Sequence, residues 1–412
     1  MKPRGFTTRS IHEPALGKDA HGALRIPTYD TAAFGFASAE DMADSFSGRR
    51  AAHAYTRISN PTVDAFERKI AALESGLAAV GVASGMAAIS ATFLNLLAAG
   101  ENIVSTASLF GGTYTFFQKI LTPFGVETRF VPADDLAAME AAIDGKTRAI
   151  FTETISNPGM IVPDFAAISA IARRHRIPLI ADSTVTTPYL FSARDFGVNV
   201  VLHSTTKYIS GGATSMGGII VDLGNFDWSQ IPALKDYHRF RDMAFLARLR
   251  KEIYRETGSC LAPHNAYLQT LGLETLALRM ERIGMNANGL AAFLSAHRAV
   301  KSVQYPGLAL SPFHDLAKRQ FRGFGGILSL NLFSPQACFR FLNGLSLISR
   351  ASNLGDNKTL ALHAASTIFA GLTNAELKRL GVDDTLIRIS FGIEDSEDLR
   401  EDIAQALEGI EI

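Results

Sequence analysis

Four short stretches set reactive groups where an α/β chain would present them to a ligand. His203-Ser204-Thr205-Thr206-Lys207-Tyr208 ends one apolar strand and runs on towards Gly211-Gly212. Lysines normally sit on solvated faces. One placed after a buried strand, among hydroxyl residues, has an amine kept reactive by its surroundings and able to form a Schiff base. Asp182 closes the apolar strand Pro178-Leu179-Ile180-Ala181-Asp182, where an unpaired buried charge is expensive and a partner is required. Ser84-Gly85-Met86-Ala87 opens an Ala/Leu-rich helix, so its free backbone N–H groups suit a phosphate. Tyr55-Thr56-Arg57 offers a phenol and a guanidinium close together, a good pair for the same kind of ligand.

Taken singly, the Ser-Gly turn reads as a helix cap and the strand-end Asp as an ion-pair partner. Together these residues supply an amine, a strand-end carboxylate and a phosphate cradle, the three parts a pyridoxal phosphate site requires. The lysine holds the aldehyde, the aspartate keeps the pyridine nitrogen protonated so that the ring acts as an electron sink, and the cradle anchors the phosphate. Competing patterns fail. There is no Gly-x-x-x-x-Gly-Lys-[Ser/Thr], no Gly-x-Gly-x-x-Gly after a first strand and no His-Glu-x-x-His. The histidines are scattered without metal-ligand spacing, so no metal is expected.

The elements that must position these groups follow from the pattern of the chain. Residues 1–60 carry Gly, Pro and polar residues without a sustained period, and an arm of that kind is expected to lie across something else, such as another subunit. Asn60-Pro61 reads as N-cap plus first helical residue, with Val63, Phe66, Ile70 and Leu73 at helical spacing until Gly76. Apolar strands are expected over 78–83, 102–106, 126–131, 147–153, 178–182, 199–203 and 217–222, with an amphipathic helix over 164–175. Strands alternating with helices predict an α/β domain over 61–255 around a mostly parallel seven-stranded sheet, with ligands outside the carboxyl ends of the strands. Residues 256–412 read as a smaller α+β domain: a long helical segment over 265–297, then strand 325–333, helix 335–345, strand 386–391 and a last helix to 409.

The chain has 412 residues, with 40 basic against 40 acidic ones. That balance offers no electrostatic footprint for nucleic acid or an anionic membrane. Hydrophobic residues at 47% and charged ones at 19% fit a folded globular protein and exclude a disordered one. No apolar stretch approaches a membrane span, and the basic N-terminus lacks an apolar h-region, so a cytoplasmic location is expected. Cys260 and Cys338 are too few for a disulfide framework or a thiolate zinc site, and both read as small buried hydrophobes.

The chain resembles the Cys/Met-metabolism pyridoxal-phosphate enzymes, which include cystathionine synthases and lyases, methionine γ-lyases and homoserine-ester sulfhydrylases. The stretches that carry the resemblance are Tyr55-Thr-Arg57-Ile-Ser-Asn-Pro-Thr62, Ser84-Gly-Met86, Glu153-Thr-Ile-Ser-Asn157-Pro158, Ala181-Asp182-Ser-Thr184, His203-Ser-Thr-Thr-Lys207-Tyr208 and Arg388-Ile-Ser-Phe-Gly-Ile-Glu394. They span most of the chain in the family's order. The resemblance implies a fold-type-I transferase in which Lys207 binds the cofactor and then shuttles protons. It implies that Asp182 pairs with the ring nitrogen, Phe110 stacks on the ring and Asn157 touches the 3′-oxygen. Ser84, the Gly85 and Met86 N–H groups, and the Ser204 and Thr206 hydroxyls would hold the phosphate. Arg388, with Asn353 nearby, would take the substrate carboxylate. Tyr55 and Arg57 would reach the phosphate of a neighbouring subunit, implying a homo-oligomer, expected as a tetramer.

Within the family, Phe226-Asp227-Trp228, Asn353-Leu-Gly-Asp356-Asn-Lys-Thr-Leu360 and Leu271-Gly-Leu-Glu-Thr-Leu276-Ala-Leu-Arg-Met280-Glu-Arg resemble the homoserine-ester sulfhydrylases. Gly112 stands where methionine γ-lyases resemble one another in carrying a cysteine. The chain also departs from the family's pattern. Phe110-Gly111 replaces the usual Tyr-Gly, Gly211-Gly212-Ala213 lacks the usual histidine, and His363-Ala-Ala-Ser-Thr-Ile-Phe369 is more apolar than the usual His-Pro-Ala-Ser-Thr-Thr-His. Phe110 stacks but cannot donate a proton to a leaving group, which favours an ester-activated homoserine. The activity so implied is γ-replacement on O-acetyl-L-homoserine, giving homocysteine with sulfide, a thiol or a sulfur-carrier protein as donor. The alternatives are a methionine γ-lyase or an O-succinylhomoserine sulfhydrylase.

Overall fold

The computed structural model describes residues 4–14, 21–408 and 410. Seven strands form one sheet: β1 (Ala78–Val82), β2 (Asn102–Thr106), β3 (Glu127–Val131), β4 (Thr147–Glu153), β5 (Leu179–Asp182), β6 (Val200–His203) and β7 (Gly218–Asp222). Their order is β1-β7-β6-β5-β4-β2-β3. All run parallel except β7, which is antiparallel to both β1 and β6. The central strands β5 and β6 are short apolar runs buried on both faces, as a sheet covered by helices on each side demands. Such strands bring their carboxyl ends to one rim, and Glu153, Asp182 and His203 are the last residues of β4, β5 and β6.

A second sheet contains β8 (Ser302–Gln304), β9 (Ile327–Asn331), β10 (Ser349–Arg350), β11 (Leu360–His363) and β12 (Leu386–Ser390), in the order β10-β11-β12-β9-β8. Only β10 and β11 pair in parallel. β8, β10 and β11 have two to four residues each, too short to carry a legible alternation.

Local rules account for the helices that matter. In the helix Pro61–Leu73, Asn60 caps the start by accepting from Thr62 N, and Val63, Phe66, Ile70 and Leu73 are all buried. The turn that ends it is made by Ser75, at φ 55°. Gly76 has a different job, since a Cβ there would meet Val221 Cγ1 at 2.6 Å. The expected single helix over 265–297 is two, Pro263–Glu274 and Leu276–Ser295. The break at Thr275 is fixed by Arg279, which reaches back to Thr275 Oγ1 and to the Gly272 carbonyl.

The N-terminal stretch also differs from a featureless arm. The helix Phe6–His12 docks on its own chain, where Lys69 Nζ donates to the Ser10 carbonyl at 2.7 Å. A second helix, Ala39–Ser47, is capped by Ser38. From residue 21 to residue 59, however, no side chain is buried. Cys338 is buried, and burial pushes its thiol up to about 11. Cys260 is only half-buried, at the edge of a core cluster. Among the described residues no helix is long and apolar enough to cross a membrane. No cluster of His, Cys, Asp and Glu among them could hold a metal ion.

Candidate active site

Strand ends of the large sheet and one strand of the small sheet enclose a cavity of about 340 Å³. Ser84 follows β1, Phe110 follows β2, and Ser204, Thr206 and Lys207 follow β6. Glu153 and Asp182 end β4 and β5, and Arg388 enters from the middle of β12. The expected residues Ser84, Gly85, Met86, Phe110, Asn157, Asp182, Ser204, Thr206, Lys207 and Arg388 all line this one space.

Lys207 Nζ donates to Asn353 Oδ1 at 2.7 Å, so Asn353 joins the site through the lysine. Burial, and then the positive charge of Arg388, push the amine down to about 8. Arg388 is itself fully buried, and desolvation lowers it to about 10. Its Nη2 donates to the carbonyls of Ser352 and Asn353, and its Nη1 approaches Asn157 Oδ1 at 3.4 Å. Its Nε is buried without a partner. A buried guanidinium with a free N–H and no carboxylate against it calls for an anion.

The cradle opens the helix Gly85–Leu96, where Ser84 accepts from Ala87 N at 3.1 Å. A Cβ at position 85 would meet Ser204 Cβ at 2.6 Å, so only glycine lets the helix start and the post-β6 turn approach this closely. Thr206 Oγ1 donates to the Gly217 carbonyl at 3.1 Å and accepts from Gly217 N at 3.0 Å. This pairing braces the loop before β7.

Asp182 and Glu153 are register partners across β5 and β4. Desolvation, followed by repulsion from Asp182, raises Glu153 above the usual carboxylate range. Desolvation also raises Asp182, against hydrogen bonds from Thr184 and the influence of His203. His203 is itself buried against Glu74, with Nε2 and Oε1 2.6 Å apart. Two carboxylates so placed favour a cationic ligand group between the strand ends, such as a protonated pyridine nitrogen. The cavity therefore fits a phosphorylated pyridine aldehyde, with a phosphate-sized glycine cradle, carboxylates at the floor and a lysine of lowered basicity.

The remaining wall is apolar. Phe110 stands beside Ile89, Ile155, Val185, Met216, Leu354 and Ile368. A Cβ at Gly112 would meet the Phe110 ring at 2.7 Å, so a cysteine there conflicts with the ring as placed. Of the apolar departures near the C-terminus, Ile368 faces the cavity, whereas Phe369 is buried under Gly111. Ala213 is not part of the lining.

Tyr55 and Arg57 do not join the cavity of their own chain. Arg57 lies over the exposed Tyr55 ring, and its Nη1 donates to the Arg255 carbonyl at 2.6 Å. Thr113, Met216 and Ser352 line the site without having been singled out from the sequence, and Glu153 was quoted there without a role. For Glu153 the signal was present: it ends an apolar strand as Asp182 does.

A family profile described as Cys/Met metabolism PLP-dependent enzyme matches residues 7–408. The chain is 39% identical to an L-methionine gamma-lyase of Pseudomonas putida, over 98% of this chain and 97% of that one. It is 38% identical to a homocysteine synthase of Schizosaccharomyces pombe, over 98% of each. Among solved structures it is similar to a Campylobacter jejuni protein assigned as an O-acetylhomoserine (thiol)-lyase, which carries N′-pyridoxyl-lysine-5′-monophosphate. The TM-score is 0.94 and the identity 36%, covering 98% of this chain and 100% of that one.

Proposed function

The chain belongs to the Cys/Met-metabolism pyridoxal-phosphate-dependent enzymes, and from that premise we propose that it is an O-acetyl-L-homoserine sulfhydrylase. It exchanges the acetate on Cγ for a sulfur nucleophile and releases homocysteine. The observation that carries this reading is Phe110 on an apolar wall. The stacking ring has no phenol, so it cannot hand a proton to a departing sulfur. A carboxylic acid is about four pH units more acidic than a thiol, so acetate departs with far less acid assistance. The acyl group is read as acetyl for a second reason. Lys207 and Arg388 are the only cations among the described lining residues, and a succinyl ester brings a second carboxylate with nothing to meet it.

Bound pyridoxal phosphate supplies an electron sink that acidifies the α and β carbons of the amino acid. The chain's residues do the rest. The Arg388 guanidinium holds the substrate α-carboxylate, with its unpartnered Nε and its Nη groups as donors. The Lys207 amine, basic near neutral pH, takes the proton from Cα, then one from Cβ, and returns protons after the sulfur has added at Cγ. Asp182 keeps a proton on the ring nitrogen, and Asn157 meets the 3′-oxygen. The Gly85 and Met86 N–H groups and the Ser84 and Ser204 hydroxyls hold the phosphate. Tyr55 and Arg57, on a stretch without buried residues, complete the phosphate site of a neighbouring copy. Phe110 and Ile368 keep water from the reacting carbons.

Two outcomes follow. Gly85→Ala is expected to wedge Ser204 away from the helix start and to raise the pyridoxal phosphate dissociation constant at least about tenfold, measured by absorbance titration of the apoprotein. With L-methionine as sole substrate, the enzyme is expected to release almost no methanethiol, whereas Phe110→Tyr gains measurable release by restoring a proton donor. Methionine cleavage by the unaltered enzyme at a rate matching O-acetylhomoserine turnover overturns the reading in favour of a γ-lyase.

A further inference from the structure

Glu153 is buried at the end of β4, and among the described residues no cation lies against it. A carboxylate in that setting is costly, and it stands next to Asp182 in register, which adds like-charge repulsion. Its compensation is two backbone N–H groups from different loops. Oε1 accepts from Phe110 N at 2.6 Å and Oε2 accepts from Asn157 N at 3.2 Å. Phe110 belongs to the turn after β2 and Asn157 to the turn after β4, and they sit 43 and 4 residues from Glu153 in sequence.

We propose that Glu153 is a positioning residue: one carboxylate clamps the two turns that place the ring-stacking side chain and the 3′-oxygen partner on the cofactor. The inference rests on the reading of Phe110 and Asn157 given above. Among the described residues Glu153 takes the N–H of Phe110, the residue that caps the short helix Gly111–Thr115. The ring itself lies close to Gly112, where an added Cβ would meet it at 2.7 Å. Asn157 also touches Arg388 through Oδ1, so the same carboxylate steadies one neighbour of the carboxylate-binding arginine. A purely packing role would be met by an apolar residue at the end of β4. Two acceptor oxygens beside Asp182 are needed only if both turns must be held at once.

The test compares holoenzymes of Glu153→Gln, Phe110→Ala and Asn157→Ala with the unaltered protein. Glutamine keeps the shape and one acceptor but turns an NH₂ towards the other backbone N–H. Three quantities are read: the visible circular dichroism of the bound cofactor, its dissociation constant and the melting temperature of the apoprotein. Glu153→Gln is expected to change the cofactor's dichroic band in the direction seen for Phe110→Ala and to weaken cofactor binding by about tenfold. If Phe110→Ala and Asn157→Ala move the band and Glu153→Gln does not, the clamp is wrong and Glu153 is only a brace. If Phe110→Ala and Asn157→Ala leave band and affinity unchanged, the assignment of those two residues to the cofactor falls, and the clamp falls with it. A lowered melting temperature with unaltered dichroism and affinity likewise overturns the proposal.

Discussion

Lys207→Ala is expected to lose turnover by on the order of 10⁴-fold or more, because the proposed roles make one amine both the covalent anchor and the base at two carbons. The protein should still take up pyridoxal phosphate through the glycine cradle but lose the yellow lysine-bound chromophore. A coloured, active variant would mean that another lysine does this work. The loss should not come from unfolding. Burial lowers Lys207 to about 8 from an ordinary 10.5, so between those values the unfolded chain holds more protons than the native one and stability rises with pH. Below about pH 8 the buried amine therefore weakens the apoprotein by its full share. Removing it should leave the apoprotein melting temperature at pH 7 unchanged or higher. A melting temperature lowered by several degrees contradicts that account of the lysine's surroundings.

Arg388→Lys is expected to be almost as damaging as outright removal of the charge, lowering kcat/KM for O-acetylhomoserine by roughly 10²- to 10³-fold. Lysine keeps the cation but loses the planar fork. The Arg388 fork donates to the Ser352 and Asn353 carbonyls while its Nε stays free. A single ammonium cannot hold both carbonyls and a carboxylate. The Asn353 carbonyl matters twice, because the side chain of the same residue accepts from Lys207 Nζ at 2.7 Å. Disturbing the arginine should therefore raise KM and also lower kcat, by displacing the base. A rise in KM alone, with kcat unchanged, would separate the arginine from the lysine. Steady-state kinetics over a wide substrate range distinguish the two.

The residues that the chain places after buried strands were the most legible ones. Lys207, Asp182 and Ser84-Gly85 stand out because strand and helix patterns bracket them, and the fold gathers them around one cavity. The strands of the large sheet were visible because most hold a short apolar stretch, as in Leu179-Ile180-Ala181 and Val200-Val201-Leu202. The small sheet was half hidden: β8, β10 and β11 are too short for any period to register. Arg388 lies in the middle of a strand, so only the resemblance pointed to it. Glu153 ends an apolar strand as Asp182 does, but its backbone partners at Phe110 and Asn157, one of them on a distant turn, cannot be read from its own segment. Thr206, whose hydroxyl the resemblance places at the phosphate, lines the cavity while its Oγ1 donates to the Gly217 carbonyl. Thr275, an ordinary helix residue by propensity, breaks a helix because Arg279 captures the acceptors around it.

The central claim is that this site exchanges acetate for sulfur and does not simply eliminate it. The most direct measurement is product analysis of the purified holoenzyme with O-acetyl-L-homoserine, with and without sulfide. Homocysteine is expected to form in step with acetate when sulfide is present, with little 2-oxobutyrate when it is absent. Formation of 2-oxobutyrate and ammonia at a similar rate with or without sulfide would contradict it.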